Sequence, residues 1–178
     1  MASNKWVVFN FVSFQLWWWA CILSAKPGLG WAVLLLVIAA CCVHLQWIES
    51  WRHALPLLIT TLLGCILDQI AYTLGWLSFK HHHTWPAFIP LWMIALWLAF
   101  SMTLNVSMRW LQGRIILAAI LGGMFGPLAY LGAQQLKVID LPSSSWSLLW
   151  VTVEWAVVMP LLLWIRRRFN ETLSTGPT

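Results

Sequence analysis

The sequence predicts an all-α integral membrane protein, a bundle of six transmembrane helices in up-and-down order with both termini cytoplasmic. Three observations predict it. Hydrophobic residues make up 61% of the 178-residue chain and charged residues only 8%, with a mean hydropathy of +0.80; a globular domain carries about 25% charged residues. The apolar residues fall into six runs, each near the roughly 20 residues needed to cross a bilayer. The basic residues are spread unevenly over the loops between those runs. A formal net charge of +5 does not point to nucleic acid, because the cations stand singly and cluster only at Arg166-Arg167-Arg168. There they fit topology and anionic lipid headgroups.

The expected spans are 5–25, 29–47, 55–79, 87–108, 115–134 and 146–165, in one membrane domain over 1–170 with a short polar tail at 171–178. The first run holds Asn10 and Gln15 and lacks a small-residue cleavage site, so it reads as a retained helix and not a signal peptide. Lys26-Pro27-Gly28 turns the chain into the second run. Pro56 opens the third, where a missing N–H is harmless. Span five contains Gly122, Gly123, Gly126 and Pro127, and the proline is expected to kink it. The short connections favour neighbouring antiparallel helices. With the N-terminus cytoplasmic, Lys5, Arg52, Arg109, Arg114 and the Arg166–Arg168 run share the cytoplasmic side, and only Lys26, Lys80 and Lys137 lie opposite. Most of the tryptophans fall at run ends, as an aromatic belt does. Trp17, Trp18, Trp97 and Trp155 fall deeper, and either pack the bundle or line a pocket for an acyl chain. All four cysteines lie inside spans without metal-ligand spacing and read as inert thiols.

The most informative residue is Asp68, inside the third run. A carboxylate there costs about 2.5–3.5 kcal/mol on insertion scales, so it is expected to face the bundle. Thr61, Gly64, Cys65, Asp68 and Tyr72 align on one helix face. On span six, Ser147, Trp150, Glu154 and Val158 form another face. At about 1.5 Å per residue, Asp68 and Glu154 reach similar depth, roughly 20 Å and 17 Å from the cytoplasmic helix ends. With no cation at that depth, at least one is expected to be protonated and hydrogen-bonded to the other, to Tyr72 or to Gln15. The pair could bind a proton or act as general acid and base, with His44 as a further catalytic candidate; otherwise it is a clasp between helices. Asn10, His44 and Asn105 form a second polar set, with Glu49, His53 and Arg109 just outside. The loop histidines His81, His82 and His83 could catch a divalent ion but lack the companions of a zinc site. No metal or cofactor is therefore expected. Ala118, Gly122 and Gly126 make a small-residue ridge that packs another helix of this chain or another membrane protein.

Asn10, Phe14, Gln15, Trp18 and Trp19 give the opening Asn-x-x-x-Phe-Gln-x-x-Trp-Trp. It resembles the start of a small bacterial inner-membrane family catalogued as domain of unknown function 2878, as do the chain's length and order of apolar segments. The resemblance implies a multi-pass bacterial inner-membrane protein. Genes of that family often neighbour genes for fatty-acyl modification such as cyclopropane fatty acid synthase, which implies an accessory or scaffold role in membrane-lipid chemistry. No catalytic residue carries over, because none is established for the family. Membrane lipids are the expected partners. The competing expectations are an integral enzyme acting on lipid through Asp68 and Glu154, and a small proton-coupled transporter using the same two carboxyls.

Overall fold

The computed structural model describes residues 4–82, 85–142 and 144–175. Apart from one short strand pair, its regular elements are helical: α1 (Asn4–Ala25), α2 (Gly30–Trp47), α3 (Ala54–Thr73), α4 (Leu91–Ser101), α5 (Ile115–Gln135) and α6 (Ser144–Thr175). Single 3₁₀ turns cover Trp51–His53 and Arg109–Leu111. Five helices are long and apolar enough to cross a membrane; α4, at 11 residues, is not. Eleven residues rise about 16 Å, roughly half of a bilayer core. The expected span 87–108 is thus shortened at both ends. Pro86 and Pro90 delay the helix, Pro90 standing in extended conformation just before it. At the far end the chain leaves the helix in a run of turns over 102–108.

That short helix is the centre of the fold. It is apolar all round, as a buried helix is, and it packs against α1, α2 and α3. Its irregular continuation is enclosed by protein, the condition under which non-helical backbone is tolerated at membrane depth. Asn10 of α1 clamps it: the amide Nδ2 donates to the Met102 carbonyl at 3.2 Å, and Oδ1 accepts from the Ser107 N–H at 3.2 Å.

The third expected span, 55–79, also ends early, at Thr73. Gly75 adopts φ 72°, and its N–H bonds to Tyr72 O at 3.1 Å while Trp76 N–H bonds to Ala71 O at 2.9 Å. Those two bonds and a left-handed residue make a Schellman cap. α1 stops the same way at Gly28, and α5 at Lys137, with φ 70° and 60°. After their caps, α3 and α5 supply β1 (Ser78–Phe79) and β2 (Ile139–Asp140), which pair antiparallel with Ser78 opposite Asp140.

α5 runs unbroken through Pro127. Its small-residue ridge faces α6 of the same chain: a Cβ at Gly122 or Gly126 would meet Trp155, and Ala118 is buried. Close backbone approach of this kind supplies dispersion contacts that lipid alone does not. The bundle has one end carrying Glu49, the 102–114 turns and Arg166, called here the arginine end, and an opposite end carrying the strand pair.

Candidate functional site

Asp68 is completely buried on α3. Both carboxylate oxygens are bonded, to donors other than those expected. Trp97 Nε1–H donates to Oδ2 at 2.6 Å, and the Tyr130 hydroxyl donates to Oδ1. Gly64, one turn before Asp68, makes this possible, since a Cβ there would overlap the Trp97 ring. Trp97 in turn stacks on Trp155, with centroids 5.2 Å apart and planes 12° from parallel, and Phe100 meets both edge-on.

Asp68 and Glu154 do not form the expected hydrogen-bonded pair. Glu154 lies close enough to Asp68 and Tyr130 to interact through charge, but neither of its oxygens has a donor in hydrogen-bond geometry. Tyr72 is likewise committed elsewhere, donating to the Pro86 carbonyl at 2.6 Å. With Gln69, which bonds Ala87 O at 3.0 Å and Ile89 N–H at 2.9 Å, it fastens the loop ahead of α4.

Trp97 and Tyr130 also form the inner wall of a cavity of about 740 Å³. Such a volume falls within the roughly 300–1,000 Å³ of ligand pockets. Phe14, Gln15 and Trp18 of α1 line one side, Leu121, Phe125 and Ala129 of α5 the other, and Trp97, Phe100 and Trp155 the floor. Among the lining side chains, only Gln15, Tyr130 and the indoles carry hydrogen-bonding groups. α1 and α5 make little contact with one another. The exposed rim residues Phe11, Trp19, Phe125 and Leu128 mark the opening between them. The cavity therefore opens sideways, through the apolar flank of the bundle.

The second polar set is built around Glu49, in the connection after α2, and not around a histidine. His44 Nε2 lies 2.8 Å from Oε1. Oε2 accepts from Asn105 Nδ2 at 3.0 Å and from Arg166 Nη2, and His53 Nδ1 stands 3.6 Å from it. Asn105 Oδ1 accepts from Asn170 at 2.7 Å and from Gln112 at 3.2 Å. The side chain of Glu49 is 3% exposed and that of Arg166 fully buried. Burial pushes the Glu49 carboxyl up, but the His44 hydrogen bond, the Arg166 charge and the Asn105 amide outweigh it and hold it below its ordinary range. The cluster joins α2, the 51–53 turn, the 102–112 segment and α6.

Asn10 and Gln15 belong to neither carboxylate: Asn10 holds the 102–107 backbone and Gln15 faces the cavity. Among the loop histidines, His82 Nε2 lies 2.9 Å from Trp85 O and 2.7 Å from Phe88 O. His81 is exposed with φ 62°, and His83 lies outside the described residues. Among the described residues no three His, Cys, Asp or Glu side chains converge on a metal position.

Residues 7–161 match the model of the family described as Protein of unknown function (DUF2878). The chain belongs to this family. The DUF2878 match takes in Glu49, Asp68, Glu154 and every wall of the cavity, and ends before Arg166 and Asn170. No curated protein and no solved structure matches the chain.

Two residues missed from the sequence had a readable signal. The ridge Ala118, Gly122, Gly126 continues by one more step of four to Tyr130. The Glu154, Val158 face of α6 continues by fours through Leu162 to Arg166, all buried. Trp97 was legible as a deep tryptophan, but nothing in the sequence paired it with Asp68.

Proposed function

We propose that this is a multi-pass protein of a bacterial inner membrane that holds one apolar chain of a lipid, as an accessory protein of membrane-lipid chemistry. The observation that carries the reading is the cavity of about 740 Å³ between α1 and α5. Its walls are aromatic and aliphatic, its opening faces sideways, and its depth is closed by the bonded layer of Trp97, Tyr130 and Asp68. An acyl chain fits such a surface because the aliphatic and aromatic walls give its methylenes close dispersion contact and leave few polar groups facing it.

A photoactivatable fatty acid carrying a diazirine in its chain tests this in neutral detergent. Labelling is expected to be saturable, displaced by unlabelled chain, and mapped to the α1 and α5 segments that face each other. Ala129→Trp, which fills the cavity from α5, is expected to reduce labelling at least tenfold at unchanged melting temperature. Labelling that neither saturates nor responds to Ala129→Trp would reduce the cavity to ordinary contact with bulk lipid.

A second reading, an enzyme acting on lipid, is favoured by one observation: the Tyr130 side chain lines the cavity while its hydroxyl is bonded to the buried Asp68 carboxylate. That arrangement suits a phenol that, with Asp68 as its base, exchanges a proton with a polar or unsaturated group of a bound lipid. Tyr130→Phe distinguishes the two, since a holding protein keeps its labelling and its complementation of a deletion strain, and an enzyme keeps only the labelling.

A further inference from the structure

We infer that the chain held in the cavity belongs to an anionic single-chain amphiphile, whose charged head lies at the arginine end against Arg114 and Arg109; this rests on the cavity reading above. The cavity is long in the direction of the bundle. It reaches from Trp92 and Ile139 near the strand end to Met108 and Trp110 at the arginine end. Trp110 is where the apolar wall meets charge. Its ring lines the cavity, and the Arg114 guanidinium sits 5.7 Å from the ring centroid. Arg109 is its neighbour in the same 3₁₀ turn. Both arginines are exposed, and among the described residues neither is in an ion pair.

The acids near this end are already committed. Glu49 is bonded to Arg166 within its buried cluster, and Glu171 is paired with Arg167 and Arg168. An anion at the Trp110 end of the cavity would therefore meet the uncompensated Arg114 guanidinium, with Arg109 in the adjoining turn adding a second positive charge, and no unpaired carboxylate among the described residues. A guanidinium held over an indole keeps its edge N–H groups available for a carboxylate or phosphate oxygen. At the other end of the cavity the near polar group is the strand pair, where Lys80 lies 3.9 Å from Asp140 and is offset by it. Charge thus orients the ligand, head toward Arg114 and tail toward Trp92. The single chain follows from the volume, since a second chain would lie outside the opening among the exposed rim residues.

Competition against the photoactivatable fatty acid tests the inference. Unlabelled palmitate, palmitoyl lysophosphatidic acid and the neutral hexadecanol are compared in the full-length protein and in Arg109→Gln/Arg114→Gln. The expected result is that both anions displace the probe at concentrations at least about tenfold below hexadecanol, and that the double variant removes this difference while hexadecanol is unaffected. Raised salt is expected to narrow the same difference in the unmodified protein, because exposed charges are screened. Whichever anion displaces the probe better identifies the source, a free fatty acid or a lysophospholipid. Equal displacement by all three in the unmodified protein overturns the headgroup assignment and leaves the cavity reading intact. No displacement by any of them removes the cavity reading itself.

Discussion

Asp68 and Glu49 are both buried carboxylates, and the protein holds them in opposite ways. Asp68 sits among neutral donors, an indole N–H and a phenol, with no cation paired to it among the described residues. Glu49 is met by a buried guanidinium, two imidazoles and an amide. The first arrangement tolerates either protonation state, because a phenol can donate to a carboxylate or accept from a carboxylic acid. The second demands an ionised Glu49, because a neutral acid would leave the Arg166 charge buried without compensation. The difference marks a division of labour. The Glu49 cluster fastens four segments at one end of the bundle, and the Asp68 layer, with its adaptable hydrogen bonds, closes a cavity.

Removing one partner of the charged cluster is the most damaging way to break this comparison. Arg166→Leu is expected to cost about 3–5 kcal/mol, the usual range when a buried ion pair loses one member. Thermal unfolding in detergent should register it as a large drop in melting temperature and in yield. A variant that melts like the unmodified protein would mean that Glu49 takes up a proton without penalty and that the cluster is no clasp.

The Asp68 layer should respond less, and selectively. Asp68→Leu leaves the Trp97 and Tyr130 donors without an acceptor and is expected to cost about 1–2 kcal/mol. Asp68→Asn is expected to melt close to the unmodified protein, since its Oδ1 accepts from Trp97 while its Nδ2 donates to a reversed Tyr130 hydroxyl. Equal losses for both variants would show that Asp68, like Glu49, has to be charged, and the contrast would collapse.

The smallest effect is in the acid limb of stability. The Glu49 carboxyl is lowered in the folded protein, so its contribution is complete above the ordinary glutamate pKa of about 4.3 and is lost as pH falls through the folded value. The Glu49 share of the melting temperature, read as the difference between the unmodified protein and Glu49→Gln, should hold down to about pH 5 and decline below that ordinary value. Glu49→Gln should start lower, with Arg166 uncompensated, and show a flatter acid limb. A limb as steep as in the unmodified protein would assign the acid sensitivity to other groups.

The helical character and five helices long and apolar enough to cross a membrane were legible because hydrophobic runs report directly on length and burial. α4 was misjudged for an identifiable reason. Hydropathy does not distinguish a helix that crosses a bilayer from one enclosed by its neighbours, and residues 87–108 are apolar either way. The early end of α3 was also legible in principle, since Gly75 stands where a Schellman cap needs a left-handed residue, but Trp76-Leu77 disguises the stop as more apolar helix. Asp68 stood out by its cost, and Asn105 and His44 by their depth. Arg166 was hidden among the basic residues that mark topology, although its step of four from Leu162 puts it on the buried face.

By itself the sequence determined an all-helical chain with a family membership readable from its first twenty residues, and it marked the two places where polar groups have to be accommodated among apolar ones. The helices and those two places are consequences of composition and period, which act along a single helix; the family is read from a motif. Which donor meets which carboxylate was decided only by the tertiary structure. Trp97 reaches Asp68 because Gly64 on another helix lacks a side chain, and Arg166 reaches Glu49 across 117 positions of sequence. Trp18, Trp97 and Trp155 were legible as deep tryptophans that could wall a pocket, but the cavity itself is the space left where α1 and α5 make little contact. Such space depends on how helices cross and how far apart they sit, and no one helix carries that information.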